Sequence, residues 1–109
     1  MSDEALSFQY RDFHDVPRCI VFGYMGSSYL LDCPFDDAAD DYPTEYGVYK
    51  LSLPVNAEVP NEAWAKISSL GVRIGTIPVR DVMFDPTRRS TFRSKVLLDL
   101  LKKGQARSR

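Results

Sequence analysis

The segment that most constrains the fold lies near the C-terminus, where apolar residues recur at helical spacing. The stripe consists of Phe92, Val96, Leu97, Leu100 and Leu101. Charged residues take the opposite side, which is the pattern of a helix that buries one face. Ser90 or Thr91 is the expected N-cap, and Gly104 stands where the helix should end. Such a stripe needs an apolar partner, and the residues before it predict a β-sheet.

Two alternating runs, 18–24 and 28–33, predict a β-hairpin. Gly26-Ser27 fits a two-residue type II′ turn, which would place Ile20 opposite Cys33. This pairing gives one apolar face, consisting of Ile20, Phe22, Tyr24, Tyr29, Leu31 and Cys33. Cys19 falls on the other face, so we expect both cysteines to be free thiols.

Shorter patterns predict the remaining elements. Alternation in residues 6–10 indicates a short edge strand, and residues 46–53 are expected to form a strand with Tyr49, Leu51 and Leu53 on one side. Asn61 is the expected cap of a short helix that ends near Gly71. Residues 72–76 and 79–84 indicate two further strands, broken near Pro78.

The predicted fold class is therefore α+β. We expect a strongly bent antiparallel sheet, either open or closed into a small barrel, packed by the C-terminal amphipathic helix. A chain of 109 residues with 44% hydrophobic residues suits one globular domain spanning residues 1–109. Residues 1–4 and 105–109 are expected to be flexible at its ends.

No segment of the sequence predicts a membrane or secretory destination. The N-terminus, Met1-Ser2-Asp3-Glu4, lacks the cationic and apolar regions of a signal peptide. Apolar runs such as residues 19–22 are far shorter than the ~20 residues of a spanning helix. The expected location is the cytoplasm, with no membrane partner.

Charge is sorted along the chain. The formal net charge is −1, but residues 1–65 hold three basic and twelve acidic residues, a balance of −9. Residues 66–109 hold eleven basic and three acidic residues, a balance of +8. Two clusters stand out, the acidic one with Asp36, Asp37, Asp40 and Asp41 and the basic one with Arg88, Arg89, Arg93 and Lys95.

Two interpretations of this sorting remain open. The clusters could pair inside the fold, each exposed pair contributing only about 0–1 kcal/mol. Alternatively, they form separate charged surfaces that attract a partner protein. Arg88, Arg89 and Arg93 lie at the N-terminal end of the predicted helix, where the helix dipole already favours anions, so stability alone would prefer acidic residues there. We therefore predict an anion- or partner-binding patch at Arg88, Arg89, Arg93 and Lys95, and an acidic partner-binding patch at Asp36, Asp37, Asp40 and Asp41.

Known catalytic and metal-binding patterns give no match. If residues 34–41 were helical, Asp36 would neighbour Asp40 and could bind Ca²⁺ or Mg²⁺ weakly, but the EF-hand pattern is missing. His14 is the single histidine and has no zinc-ligand spacing around it. No Gly-x-Ser-x-Gly or phosphate-binding loop occurs. The sequence predicts no catalytic residue, no metal site and no cofactor.

The leading hypothesis is a non-enzymatic protein-interaction module that uses its segregated charged surfaces. One alternative is a small metal-dependent enzyme built on residues 36–41. Another is a weak nucleic-acid or anion binder working through residues 88–95, which the sequence pI of about 5.7 disfavours. Exposed edge strands would also allow a homodimer.

Overall fold

An antiparallel sheet of seven strands forms the main layer of the computed structural model, which describes residues 6–14, 16–55, 58–84 and 91–107. Its strands are β1 (Leu6–His14), β2 (Val16–Tyr24), β3 (Ser27–Asp32), β4 (Glu45–Leu51), β5 (Gly71–Pro78), β6 (Met83–Phe84) and β7 (Thr91–Arg93). Two α-helices accompany the sheet, α1 (Asn61–Trp64) and α2 (Lys95–Arg107). Short 3-10 turns occupy Ile67–Leu70 and Val79–Asp81.

The strands lie across the sheet in the order β5-β4-β3-β2-β1-β7-β6. Within the described residues the sheet is open, with β5 and β6 at its edges, so the barrel alternative is wrong. The prediction that residues 6–10 form an edge strand is also wrong, because β1 pairs with β2 on one side and with β7 on the other. The α+β class and the antiparallel sheet with a C-terminal helix are confirmed.

The hairpin of β2 and β3 has the predicted apolar face but a different register. Tyr24 pairs with Ser27, so the turn residues are Met25 and Gly26, with φ angles of 51° and 79°. Positive φ at both positions is the type I′ geometry, which matches the twist of the strands. Ile20 therefore lies opposite Leu31 rather than Cys33. The slip is two residues, and a two-residue slip leaves every side chain on its predicted face.

The C-terminal helix begins later than its sequence pattern predicts. Phe92 belongs to β7, where it pairs with Leu6 and Phe84. Ser94 is the N-cap in place of Ser90 or Thr91, because its side-chain oxygen accepts a hydrogen bond from the backbone N–H of Leu97 at 3.2 Å. The helix also passes through Gly104 and ends at Arg107.

One face of the sheet is covered by α2, and we call it the helix face. Leu97, Leu98 and Leu101 pack there against side chains of β1 to β5, and all three are buried. The predicted face of the hairpin lies entirely in this core. At Gly75 of β5, a Cβ atom would come within 3.1 Å of the Leu100 side chain, so glycine at this position lets the helix approach the sheet.

The opposite face, which we call the loop face, is covered by the irregular segment from Leu53 to Leu70. Val59, Ala63 and Ile67 of this segment are buried against Val21, Leu30 and Leu51. Tyr49 and Leu53 also pack here, which confirms the predicted side for the 46–53 strand. The predicted helix from Asn61 to Gly71 is instead two short turns, and Pro60 rather than Asn61 occupies the N-cap position of α1.

The two cysteines lie on opposite faces of the sheet. Cys33 belongs to the helix-face core, Cys19 packs against the loop-face core, and neither forms a disulfide. The strand predicted at 72–76 extends through Gly71–Pro78 as β5, and the one at 79–84 is a 3-10 turn followed by β6. Neither described helix combines the length and apolar character that a membrane span requires.

Candidate functional site

The acidic loop, residues 34–44, connects β3 to β4 and brings the four predicted aspartates together. It is closed by a backbone pair in which the Asp36 N–H donates to the Asp41 carbonyl at 2.9 Å. The side-chain oxygen Oδ1 of Asp36 accepts hydrogen bonds from the backbone of Ala38 and Ala39, an Asx-type turn. Asp40 has a φ of 54°, in the left-handed region that Asp tolerates better than most residues.

The aspartates of the acidic loop face solvent. Asp36, Asp37, Asp40 and Asp41 are all exposed, and their hydrogen bonds run to the backbone of their own loop. Among the described residues, no basic side chain forms an ion pair with any of the four. Phe35 lies beside them, 45% exposed, with its ring edge-to-face against Tyr42 at 5.2 Å. The loop thus presents four carboxylates and one aromatic ring.

Residues 34–41 do not form the helix that would make Asp36 and Asp40 neighbours in a metal site. Residues 36–41 make a tight turn, so Asp36 and Asp40 are not neighbours on a helix face. Asp36 and Asp41 direct a carboxylate oxygen to backbone N–H groups of the loop. In the part of the chain that the structure describes, no group of three or more Asp, Glu, His or Cys side chains is placed to hold a metal ion.

The predicted basic patch is described only in part. Arg88 and Arg89 lie outside the described residues. Arg93 is exposed at the end of β7 and Lys95 is exposed in the first turn of α2, with the buried cap Ser94 between them. The prediction that Arg93 belongs to the N-terminal end of the helix is wrong, because pairing of β7 with β1 and β6 holds it in a strand.

The acidic loop and the basic surface formed by Arg93 and Lys95 are at opposite ends of the sheet. The loop leaves β3 beside Asp32, which pairs with Cys19 at the start of β2. β7 instead pairs with Leu6, at the other end of β1. Strand geometry puts these positions about five residues apart along the strands and three strands across, which is ~20 Å. The two described clusters therefore do not neutralise each other.

A cavity of about 370 Å³ lies behind the acidic loop, where β2 and β4 begin and β5 ends. We call it the arginine cavity, because Arg18 and Arg80 both line it. Asp41, Tyr42, Pro43 and Thr44 of the acidic loop form another wall, and Val79 completes the lining. Segments that are distant in the sequence thus line one cavity that is open to solvent and combines charged and apolar groups.

Arg18 is held firmly in the wall of this cavity. Only 9% of its surface is exposed, and its guanidinium carbon lies 4.5 Å from the centre of the Tyr42 ring. Its Nη1 donates to the Sγ of Cys33 at 3.5 Å, and the Cys33 thiol donates to the carbonyl of Pro43 at 3.2 Å. Stacking on an aromatic face and hydrogen bonding to a soft acceptor both suit a weakly hydrated guanidinium.

The thiol and phenol next to Arg18 stay protonated at neutral pH. Burial raises the pKa of the Cys33 thiol above its ordinary value of 9.0, although the nearby Arg18 works in the opposite direction. Burial likewise raises the pKa of Tyr46, whose hydroxyl donates to the Pro17 carbonyl at 2.7 Å. Because a thiolate is the reactive form of cysteine, Cys33 is suited to packing rather than to nucleophilic catalysis.

The arginine cavity is not predicted by any local sequence pattern, although one signal for it exists. Arg18 stands between apolar residues at the start of a strand, where a buried cation needs special partners. Its neighbours Tyr42 and Arg80 are far away in the sequence, so only the strand pairing brings them together. The side chains of Asp12 and His14, considered for zinc, lie outside the described residues.

A smaller cavity of about 190 Å³ lies on the loop face, where Phe8, Gln9 and Gly23 face Leu53, Pro54 and Val59. Its polar lining residues are Ser7, Gln9 and Ser28; the Ser28 hydroxyl already donates to the Pro54 carbonyl at 3.2 Å, and the Gln9 side-chain oxygen already accepts a hydrogen bond from the Val59 backbone at 2.9 Å. That contact ties the covering segment to β1. This cavity therefore offers little to a ligand.

Comparisons with known proteins give no functional lead: no family model, no curated protein and no solved structure matches the chain.

Proposed function

We propose that the protein is a non-enzymatic interaction module that binds a basic segment of a partner protein through the acidic loop. The observation that carries this proposal is the exposure of four aspartates in one ordered loop, with no ion pair to a described basic residue. Like charges held together repel one another, and a basic partner removes that cost. Clustered charge of one sign also accelerates association and selects partners.

Phe35 supports the proposal because it adds an apolar contact to the charged loop. Aromatic residues are enriched in protein interfaces, whereas isolated charges at an interface rim add little affinity. Its edge-to-face contact with Tyr42 fixes the ring while leaving it 45% exposed. A partner segment with a Lys or Arg beside an apolar residue would match this surface.

The basic surface formed by Arg93 and Lys95 would act as a second, separate docking surface for acidic segments. Its distance from the acidic loop allows the two surfaces to work independently. Cys19 and Cys33 form no disulfide, which suits a reducing compartment, and we propose that the module acts in the cytoplasm.

The test compares two variants that remove the same charge from different places. The loop variant carries Asp36→Asn, Asp37→Asn and Asp40→Asn, and the control variant carries Glu58→Gln, Glu62→Gln and Asp99→Asn. Asn keeps the Oδ1 acceptor that Ala38 and Ala39 use and tolerates the positive φ at position 40. The loop should therefore keep its shape.

Binding of a short Arg/Lys-rich peptide is measured by calorimetry at low and at physiological salt. Three rim charges at about 0.5 kcal/mol each predict a loss of roughly tenfold in affinity for the loop variant. The control variant should bind as the wild type does. Equal weakening in both variants would show that only net charge matters, and would refute the acidic loop as a docking site.

A further inference from the structure

The arginine cavity carries an inference that goes beyond partner binding. Two guanidinium groups line it, one nearly buried in Arg18 and one exposed in Arg80. Tyr42 and Thr44 add hydroxyl groups, and Asp41 adds one carboxylate. The lining therefore has a net charge of +1, although it adjoins the most acidic segment of the chain.

The cavity is organised before any ligand arrives. The Tyr42 ring and the Cys33 sulfur fix the Arg18 guanidinium from two sides. The backbone N–H of Val79 donates to the carbonyl of Thr44 at 2.9 Å, which ties the Arg80 turn to the end of the acidic loop. Because the Arg18 guanidinium is already held in place, this part of the site loses less entropy on binding, so a weakly charged cavity can still bind well.

Guanidinium groups recognise oxyanions by paired, charge-assisted hydrogen bonds. A volume of about 370 Å³ is larger than a simple anion needs and falls in the range of small-molecule sites. Val79, Pro43 and the ring of Tyr42 supply apolar surface for the remainder of such a ligand. We propose that the arginine cavity binds a small organic oxyanion, a carboxylate or a phosphate monoester, between Arg18 and Arg80.

Arg80 and Asp41 have opposite roles in this proposal. Arg80 is exposed and reaches the cavity from a 3-10 turn, so it can close over the anion after entry. Asp41 repels the anion from the neighbouring wall. The variants Arg80→Gln and Asp41→Asn should therefore change anion affinity in opposite directions, an outcome that general destabilisation of the protein would not produce.

The experiment titrates the full chain with acetate, benzoate, inorganic phosphate and phenyl phosphate, followed by NMR shifts and by melting temperature. We expect saturable binding that is tighter for the aromatic member of each pair, because of the apolar wall. The tighter of phenyl phosphate and benzoate assigns the anion class. Arg80→Gln should weaken binding at least tenfold, and Asp41→Asn should strengthen it about threefold.

Arg73→Gln is the matched control, since Arg73 is an exposed arginine on β5 away from the cavity. It should leave anion affinity unchanged. Arg18→Lys keeps the charge but loses the planar donor pair, and should weaken binding while the protein remains folded. If Arg18→Lys fails to fold, the Arg80 and Asp41 variants still decide the matter. No saturable binding by the wild type, or equal effects of Arg80→Gln and Arg73→Gln, would overturn the proposal.

The result is separate from the test of the acidic loop. Asp41→Asn is expected to tighten anion binding, whereas changes at Asp36, Asp37 and Asp40 are expected to weaken binding of the basic peptide only. Either proposal can therefore fail while the other stands.

Discussion

The two faces of the sheet are covered in different ways. A single helix of 13 residues covers the helix face and inserts Leu97, Leu98 and Leu101 into the larger core. The loop face is covered by a segment with two four-residue turns, which buries Val59, Ala63 and Ile67 one at a time. A helix moves as a unit, so its buried residues cannot shift separately, whereas an irregular segment can adjust around one residue. We therefore expect truncation of a buried side chain to cost more stability on the helix face than on the loop face.

The largest expected effect comes from matched truncations on the two faces. Leu97→Ala should lower the free energy of unfolding by about 3–4 kcal/mol, because the helix cannot move to fill the space of a fully buried side chain. Ile67→Ala should cost about 2 kcal/mol, because the short turn around it can collapse into the space. Urea unfolding measures both values.

Val96→Ala, at a position 44% exposed, is the control and should change stability by less than about 0.5 kcal/mol. Equal losses for Leu97→Ala and Ile67→Ala would contradict the difference between the faces.

A smaller effect appears at alkaline pH and involves the helix face alone. Burial raises the pKa values of Cys33 and Tyr46 above 9.0 and 10.0, so the unfolded chain loses these protons first as the pH rises. Fewer bound protons in the unfolded state mean that stability falls with pH, starting near pH 9. Tyr46→Phe should make this decline shallower. At neutral pH it should cost about 1 kcal/mol, through loss of the hydrogen bond to Pro17.

Melting temperature as a function of pH gives the measurement. Leu97→Ala serves as the comparison, because it removes no titrating group and should give a curve parallel to the wild type. An unchanged alkaline slope in Tyr46→Phe would show that this tyrosine does not contribute to the decline.

The smallest effect is expected on the loop face, at Trp64. Its indole N–H is buried without a hydrogen-bond partner among the described residues. The guanidinium of Arg11 lies 4.8 Å from the centre of its ring. Trp64→Phe removes the unsatisfied donor and some packing together, so the two contributions offset and stability should change by no more than about 1 kcal/mol. Thermal unfolding checks this, and a loss well above that value would mean that the indole N–H has a partner in solution.

The buried side chains of the helix face were predictable from the sequence because a register error of two residues leaves the alternation of buried and exposed positions unchanged. Alternation identifies the buried side chains of β2 and β3 whether Gly26-Ser27 or Met25-Gly26 forms the turn. The turn itself was missed because Met25 adopts a positive φ that favours Gly or Asn. Phe92 was assigned to the helix because its spacing fits the stripe. Its place in a three-residue strand depends on pairing with Leu6 and Phe84, which no local pattern reveals.

The loop face and the arginine cavity were less predictable for the same physical reason. Irregular segments have no period, so the positions of Val59 and Ile67 follow from the surface they meet. The residues of the cavity come from the start of β2, the acidic loop and the turn after β5. Composition and charge order indicated the acidic loop correctly as a cluster, but not the arginine behind it.

The hydrogen bond between Val79 and Thr44 continues the ladder of β4 and β5, and it makes the position of Arg80 sensitive to the length of β5. A bulge between Val48 and Tyr49 already absorbs one additional residue of β5. Edge strands ordinarily tolerate insertions and deletions. In β5, however, a change of length would shift Arg80 relative to Arg18, although Arg80 lies ~15 Å along the sheet from the bulge. Sequences that preserve the cavity should therefore keep the length of β5 even where its exposed side chains vary.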